Sequence, residues 1–167
     1  MSDMVPWPTG RKHPKVIDAA SEQLANLETM LQKEGVETFR PEVMDWSKPI
    51  VMPGWEVPNQ YTSVCPRDVM ITVGNIMVEA PVSRRDRFLE YQAYQPLANK
   101  FWREDYNAMW KSCPKNSMND SMYNVDWLEM TEEQRAKKRE TFEFCLKNDE
   151  IVFDAADFTR TGKHVFG

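Results

Sequence analysis

Two aspartates near the end of the chain are the first candidates for chemistry. Asp154 and Asp157 follow the apolar run Ile151-Val152-Phe153 and are separated only by two alanines. Small side chains at the end of a strand leave room for another group to approach. Side chains three positions apart on a strand face opposite sides, so the pair cannot hold one ion unless the chain turns. We interpret one acid as facing a site and the other as holding the loop; purely structural roles are the alternative.

Asp68 is the next candidate. It follows Arg67 and opens the apolar run Val69–Val73, which places a carboxylate where a loop meets the core. A buried carboxylate must find hydrogen-bond donors, so the residue types alone favour a structural arrangement of Arg67 and Asp68 at the strand entrance. The functional alternative is a pocket for a cation, because a planar guanidinium matches a carboxylate with two parallel hydrogen bonds.

Histidine and cysteine form no recognisable catalytic or metal motif. His13 and His164 are the only histidines, and neither stands at metal-ligand or triad spacing from a suitable partner. The cysteines at positions 65, 113 and 145 are widely spaced and lack a CxxC pair, which indicates free thiols in a reducing compartment. We therefore predict neither a metal nor a cofactor.

Composition limits the classes of protein and partner. The 167 residues are enough for one domain with a core, and we treat residues 1–167 as a single domain. With 21 Lys and Arg against 26 Asp and Glu, the net charge of −5 favours neither nucleic acid nor an anionic membrane as a partner. Residues 1–10 contain no apolar stretch long enough for a signal peptide or membrane span, so a cytoplasmic location is expected.

Helix signals begin at Pro14. Apolar residues recur at three- and four-residue steps through Leu31, and Lys33 with Gly35 provides the usual stop signals. After this amphipathic helix, residues 36–39 are predicted to form a short strand. The proline-rich stretch from 41 to 66 is predicted to be an ordered loop because it shows neither helical nor strand periodicity.

The central part of the chain predicts a hairpin followed by a helix. Val69–Val73 has the composition of a buried strand, Gly74-Asn75 can form a two-residue turn, and Ile76–Val78 can return antiparallel. Ser83 and Asp86 resemble a capping box, so a helix is expected from Arg84 until Pro96 kinks or ends it.

The last third of the chain shows weaker patterns. Residues 103–130 are predicted to be aperiodic, and Thr131–Gln134 is a capping box that opens another helix. Short strands are predicted at 151–153 and 164–166. Strands separated by helices and long loops indicate an α/β fold. The last strand stops at Gly167 without a following partner or cap, so we weigh truncation equally with a terminal strand.

A series of short motifs, in order, resembles the arginine amidinotransferase family. The resemblance covers most of the chain from about Pro14 onward. The motifs are Gly35-Val36, Arg40-Pro41, Asp45-Trp46-Ser47, Pro66-Arg67-Asp68, Val73-Gly74-Asn75, Glu79-Ala80-Pro81, Arg85, Arg87-Phe88, Glu90-Tyr91 and Phe153-Asp154-Ala155-Ala156-Asp157-Phe158. This resemblance implies an α/β propeller of five pentein-like ββαβ modules, of which the chain would be an incomplete N-terminal portion.

The resemblance also implies a chemistry and a role for each candidate acid. In the family, a cysteine attacks the guanidino carbon of arginine, ornithine leaves, and an amine acceptor such as glycine takes the amidino group. Asp154 matches the catalytic acid that orients a histidine, and Asp68 matches a carboxylate that binds the substrate guanidinium. Arg67 and Asp157 would support the site, and the partner would be an arginine-like small molecule.

The chain departs from the family pattern in its nucleophile and base. The family's histidine and cysteine both lie well downstream of the motif at 153–158, and neither His164 nor any of the three cysteines aligns with them. We expect no amidino transfer by this chain alone. Two alternatives remain: half of a split enzyme completed by a complementary chain, or a non-catalytic guanidinium-binding or assembly module. Exposed strand edges would then favour association, including a homo-oligomer.

Overall fold

The computed structural model describes residues 12–167, in which four α-helices alternate with seven short strands. The helices are α1 (Pro14–Lys33), α2 (Pro66–Val69), α3 (Gln95–Glu104) and α4 (Glu132–Glu140). The strands are β1 (Ile50–Met52), β2 (Trp55–Val57), β3 (Met70–Val73), β4 (Ile76–Glu79), β5 (Met109–Ser112), β6 (Thr159–Thr161) and β7 (His164–Phe166). The predicted α/β class is confirmed. The prediction that residues 1–10 contain neither a signal peptide nor a membrane span concerns a segment outside the described residues.

The largest sheet has three strands in the order β3-β4-β5. Strands β3 and β4 pair antiparallel through the turn at Gly74-Asn75, as predicted. Gly74 has a φ of +61°, a left-handed conformation that glycine adopts without the steric cost of a Cβ. After α3 the chain returns as β5, which pairs parallel to β4. The result is a strand-strand-helix-strand unit.

Helix α1 has the predicted bounds and an unexpected environment. Pro14 stands in its first turn, where no hydrogen bond is lost, and Lys33 is its last residue. None of its side chains is buried, and its apolar stripe lies on the surface, including Val16, Leu24, Leu27 and Leu31. The amphipathic pattern therefore predicted the helix correctly, yet its apolar face is uncovered in the described structure.

Two predictions between 36 and 66 are wrong. Residues 36–39 form no strand; instead Thr38 and Arg40 hydrogen-bond to Glu28 on α1. The supposed loop contains the antiparallel hairpin β1–β2, whose turn includes Gly54 at a φ of +89°. Its strands have three residues each, too few to show a recognisable alternation among the prolines.

The helix predicted from Arg84 is replaced by two 3₁₀ turns. These are Arg85–Arg87 and Glu90–Tyr94. The Ser83 capping box does not form, and Asp86 pairs with Arg84 instead. Pro96 lies in the first turn of α3 rather than at the end of a helix, since the first turn tolerates a residue without an N–H donor. The segment predicted to be aperiodic supplies β5 and two further 3₁₀ turns, at Asp120–Met122 and Val125–Leu128.

Two of the three predictions for the last part of the chain are confirmed. Thr131 caps α4, and Gln134 completes the capping box. Residues 151–153 form no strand, because they pair with no other segment in the described part of the chain, and a 3₁₀ turn (Ala155–Asp157) follows them. The predicted strand at 164–166 is β7, which pairs antiparallel with β6.

Two small apolar cores flank the turn Arg85–Arg87. The first contains Ile50, Trp55, Val57, Phe88, Met118, Met122 and Tyr123. The second contains Val69, Val82, Ala93 and Tyr94. The first core includes Phe88, directly after the turn, and the second includes Val82, three residues before it, so packing on both sides fixes the position of the turn.

Candidate functional site

The structure brings together two segments that are far apart in sequence. Asp68 lies in the single-turn helix α2, not at the start of a strand as expected, and Asp154 immediately precedes the turn Ala155–Asp157. Across this junction, Nη2 of Arg67 donates a hydrogen bond to the carbonyl oxygen of Ala156 at 3.5 Å. The four residues named as site candidates from the sequence therefore lie in one neighbourhood.

The two acids of the 154–157 segment have different environments. The backbone N–H of Asp154 donates to Oδ2 of Asp157 at 3.1 Å, so the Asp157 carboxylate bonds to the turn itself. Asp157 is exposed, whereas Asp154 is half-buried. The chain does turn here, and one carboxylate is committed to that turn.

Asp68 bonds to a partner that the sequence analysis did not single out. Nη1 of Arg87 donates to Oδ2 of Asp68 at 2.9 Å. The same guanidinium uses Nε to donate to Oε2 of Glu90 at 2.5 Å. Arg87 is thus bound by two carboxylates at once, one on α2 and one in the turn Glu90–Tyr94. The local pairing of Arg67 with Asp68 is not what satisfies the Asp68 carboxylate.

The Arg87–Glu90 pair is deeply buried. The side chains are 7% and 1% exposed. Burial opposes the charge of Arg87, but the bonds and charges of Glu90 and Asp68 outweigh it and raise the pKa of the guanidinium. For Glu90, burial raises the pKa despite the bond from Arg87. Two buried atoms, Oε1 of Glu90 and Nη2 of Arg87, have no hydrogen-bond partner among the described residues.

Asp154 adds a third carboxylate to this cluster. Burial raises its pKa, and the nearby charges of Asp68 and Asp157 add to that effect, while Arg87 and Arg84 oppose it. Arg87 is already bonded to Asp68 and Glu90, and Arg84 is paired with Asp86. Two carboxylates therefore bond to one buried guanidinium, and a third lies close enough for its charge to interact with it. We call Asp68, Arg87, Glu90 and Asp154 the carboxylate cluster.

The nucleophile and base of an amidino transfer are not found in this cluster. Cys65 is nearby, but burial, with the charge of Asp68 next, raises the pKa of its thiol, which keeps the thiol protonated and weakly nucleophilic. His164 lies in β7 and is exposed, and His13 caps α1, where its Nδ1 accepts a bond from the Lys15 N–H at 3.2 Å.

Residues 12–167 contain neither a metal-binding cluster nor a membrane-spanning helix. No group of three or more histidine, cysteine, aspartate or glutamate side chains in this range has an arrangement that could hold a metal ion. None of the helices in the same range combines the length and the apolar character needed to cross a bilayer.

The sequence carries signals for two members of the carboxylate cluster, Arg87 and Glu90, that were not among the predicted site residues. Arg87 and Glu90 both fall within the motifs that resemble the family, and an Arg-x-x-Glu spacing brings opposite charges together on one side of a helical turn. What the spacing does not indicate is that Arg87 continues to Asp68, because that bond crosses between separate elements.

Curated relatives agree with the motif series, although no family model matches the chain. The mitochondrial glycine amidinotransferase of Xenopus tropicalis is 37% identical over 166 residues, covering 96% of this chain and 39% of that protein. That of Danio rerio is 38% identical over 93% of this chain and 36% of its own length. The L-arginine:L-lysine amidinotransferase of Pseudomonas savastanoi pv. phaseolicola is 35% identical over 89% of this chain and 39% of its own length.

Solved structures give the same family. An amidinotransferase of the saxitoxin biosynthetic pathway from Microseira wollei superposes with a TM-score of 0.79 at 30% identity, over 98% of this chain and 43% of that one. The inosamine-phosphate amidinotransferase of Streptomyces griseus superposes with a TM-score of 0.77 at 31% identity, over 95% and 41%. The chain spans less than two fifths of the curated relatives above, and by sequence and fold it is a partial-length relative of the arginine amidinotransferase family.

Proposed function

We propose that this chain forms the guanidinium-binding part of an arginine amidinotransferase active site, in which Asp68 and Asp154 bind the cationic end of an arginine-like substrate. The observation that carries the proposal is the carboxylate cluster, where Asp68 and Glu90 bond to one buried guanidinium and Asp154 lies near enough to feel its charge. Excess negative charge at a half-buried position favours a cation. A guanidinium fits carboxylates better than an ammonium does, because its planar donors pair with two oxygens at once.

In the proposed reaction, the family's cysteine thiolate attacks the guanidino carbon and forms a C–S bond. The bond from that carbon to the ornithine nitrogen breaks, and a histidine supplies the proton that ornithine takes as it leaves. An amine acceptor such as glycine then attacks the amidino carbon, the C–S bond breaks to release the thiolate, and the histidine takes up the proton that the acceptor nitrogen loses. Asp154 would orient the histidine and stabilise its protonated form. Arg67 and Asp157 would hold the turn at 155–157 against α2.

We expect this chain by itself to bind an arginine-like ligand without transferring its amidino group. The raised pKa of the Cys65 thiol argues against a substitute nucleophile beside the carboxylates. His164 does not match the family's histidine, so Asp154 has no partner of that kind in the described residues. A complementary chain that carries the histidine and cysteine would complete the site, and the amine acceptor would be chosen there.

The fold proposal is that residues 1–167 form one partial domain, the N-terminal portion of a pentein-like propeller. The strand-strand-helix-strand order of β3, β4, α3 and β5 supports it, since this is the order of a ββαβ module.

Calorimetric titration with L-arginine tests the guanidinium site. We expect L-arginine to bind and L-citrulline, its neutral isostere, to bind far more weakly. Asp68→Asn should weaken arginine binding about tenfold or more, since a bond to a charged group is lost. Asp45→Asn is the matched control, because Asp45 is exposed and bonds to Ser47 within its own loop. Equal affinity for the two ligands, or equal affinity of the two variants, would contradict the proposal.

Intact-protein mass measurement tests the absence of transfer. With arginine labelled at the guanidino carbon, the chain alone should acquire no amidino group. Formation of the adduct on the isolated chain would refute the proposed dependence on an external cysteine. Recovery of ornithine release on mixing with a chain that supplies the family's histidine and cysteine would support the split-enzyme alternative.

A second candidate function is a non-catalytic assembly module, and the uncovered face of α1 favours it. Val16, Leu24, Leu27 and Leu31 are all exposed on this helix. Most helical stability in proteins comes from packing of an amphipathic face, and this 20-residue helix buries no side chain among the described residues, so a covering partner would stabilise it. Sedimentation velocity should show association, and Leu24→Gln with Leu27→Gln should reduce it. A chain that stays monomeric at all concentrations would contradict this candidate function.

A further inference from the structure

We propose that Arg87 is a positioning residue for the guanidinium site: anchored by Glu90, it fixes the orientation of the Asp68 carboxylate that receives the ligand. The inference rests on the proposed function of Asp68 and assigns to Arg87 a role that neither the motifs nor the relatives assign.

The burial of the three side chains supports this role. Exposure rises from 1% for Glu90 to 7% for Arg87 and 25% for Asp68. Glu90 therefore acts as an anchor in the interior, Arg87 as a bridge, and Asp68 as the outward end. Both contacts of Arg87 are direct, with Nε on Glu90 at 2.5 Å and Nη1 on Asp68 at 2.9 Å.

The location of Asp68 explains why it needs such a bridge. Helix α2 is a single turn, and an aspartate there has two side-chain torsions that its own helix does little to restrict. A bond to a buried guanidinium that is itself held at Nε removes that freedom before the ligand arrives. Preorganisation of this kind improves affinity because the ordering cost is already met in the free protein.

Electrostatics alone predicts the opposite outcome, which makes the inference testable. A cation beside a cation-binding site repels the ligand, so loss of the Arg87 charge without repositioning would strengthen arginine binding. Variants that conserve the charge of the cluster separate the two effects. Arg87→Lys keeps the charge but loses the two-ended planar donor set, and the double variant Arg87→Gln/Glu90→Gln removes one positive and one negative charge together.

We expect both variants to bind L-arginine about 10- to 100-fold more weakly than the wild-type chain, as measured by calorimetry. Their weak binding of L-citrulline should change much less. In Arg87→Lys the pH midpoint of arginine binding should stay close to that of the wild-type chain, because the positive charge that lowers the Asp154 pKa is kept. Arg85→Gln/Asp120→Asn is the matched control: it removes the ion pair that Arg85, in the same turn as Arg87, makes with Asp120, and it should leave arginine affinity within about twofold.

The outcomes separate this inference from the proposed function. Arginine binding by the wild-type chain with unchanged or tighter binding by the charge-conserving variants overturns the positioning role and leaves the proposed function standing. No binding by the wild-type chain overturns both. If the double variant fails to fold, as judged by circular dichroism, Arg87→Lys decides the question, and a crystal structure of that variant should show the Asp68 carboxylate in a new orientation.

Discussion

Arg85 and Arg87 lie two residues apart in one 3₁₀ turn, and both are buried, yet they serve different parts of the molecule. Residues advance by about 120° per position in a 3₁₀ helix, so these two side chains diverge. Arg85 reaches the first apolar core, whereas Arg87 reaches the carboxylate cluster. Arg85 therefore joins loops, whereas Arg87 belongs to the candidate site.

Arg85 makes a set of structural contacts. Its Nε donates to the carbonyl oxygen of Met118 at 2.8 Å, and its Nη2 donates to Oδ1 of Asp120 at 2.8 Å. Its guanidinium carbon also lies 5.6 Å from the ring centre of Trp55 and 5.4 Å from that of Tyr123. The one acid involved, Asp120, is 74% exposed and well hydrated.

Arg87 has the reverse arrangement. Its bonded partners are carboxylates that are partly or fully buried, and the third acid, Asp154, remains nearby with a raised pKa. Residue type and burial are therefore the same for the two arginines, and the charge balance of the surroundings is what differs. The buried acids around Arg87, in excess of its single charge, are what make it rather than Arg85 part of the candidate site.

The largest expected difference is in stability after loss of each guanidinium. Arg87→Met leaves Glu90 as an unpaired buried charge and should lower the free energy of unfolding by about 3–5 kcal/mol. Arg85→Met leaves Asp120 in water and should cost about 1–3 kcal/mol through the lost bonds. Denaturant titration measures both. Because Glu90 takes up a proton at low pH, the deficit of Arg87→Met should shrink on acidification; a deficit independent of pH would argue against an unpaired carboxylate.

The next effect is the pH dependence of arginine binding. The pKa of Asp154 is raised by burial, so this acid loses its negative charge at a higher pH than an ordinary aspartate does. Arginine affinity should therefore fall as the pH drops through that raised pKa, and Asp154→Asn should remove this dependence along with part of the affinity. Calorimetry across a pH series measures it. Affinity that stays constant down to the pKa of an ordinary aspartate would exclude Asp154 from the site.

The smallest effect is an opposite change in stability for two isosteric variants. The raised folded-state pKa of Asp154 means that its charge destabilises the fold above that pKa, so Asp154→Asn should stabilise the protein at neutral pH and lose this advantage in acid. The Asp120 pKa is lowered, first by the hydrogen bond from Arg85, so Asp120→Asn should destabilise at neutral pH. Thermal unfolding at two pH values measures both, and shifts of the same sign would contradict the comparison.

Local chemistry made part of the fold predictable. The start of α1 at Pro14, the turn at Gly74-Asn75 and the cap at Thr131 each depend on residues within a few positions. The hairpin β1–β2 was missed because its three-residue strands are too short to show a period. The prediction that Pro96 kinks or ends a helix is wrong. A proline disrupts the interior of a helix but is tolerated in the first turn, and the sequence does not indicate which of the two positions it occupies.

The sequence by itself determined the α/β class, the main helix and hairpin signals, and, through its motif series, the relation to the amidinotransferases and the choice of Asp68 and Asp154 as candidates. These conclusions rest on spacing and residue type along the chain. Only the tertiary structure decided that Arg87 connects Asp68 to Glu90 and that Asp154 is half-buried beside them. The reason is physical: burial and charge pairing depend on which distant segments pack together, and no local pattern records that packing.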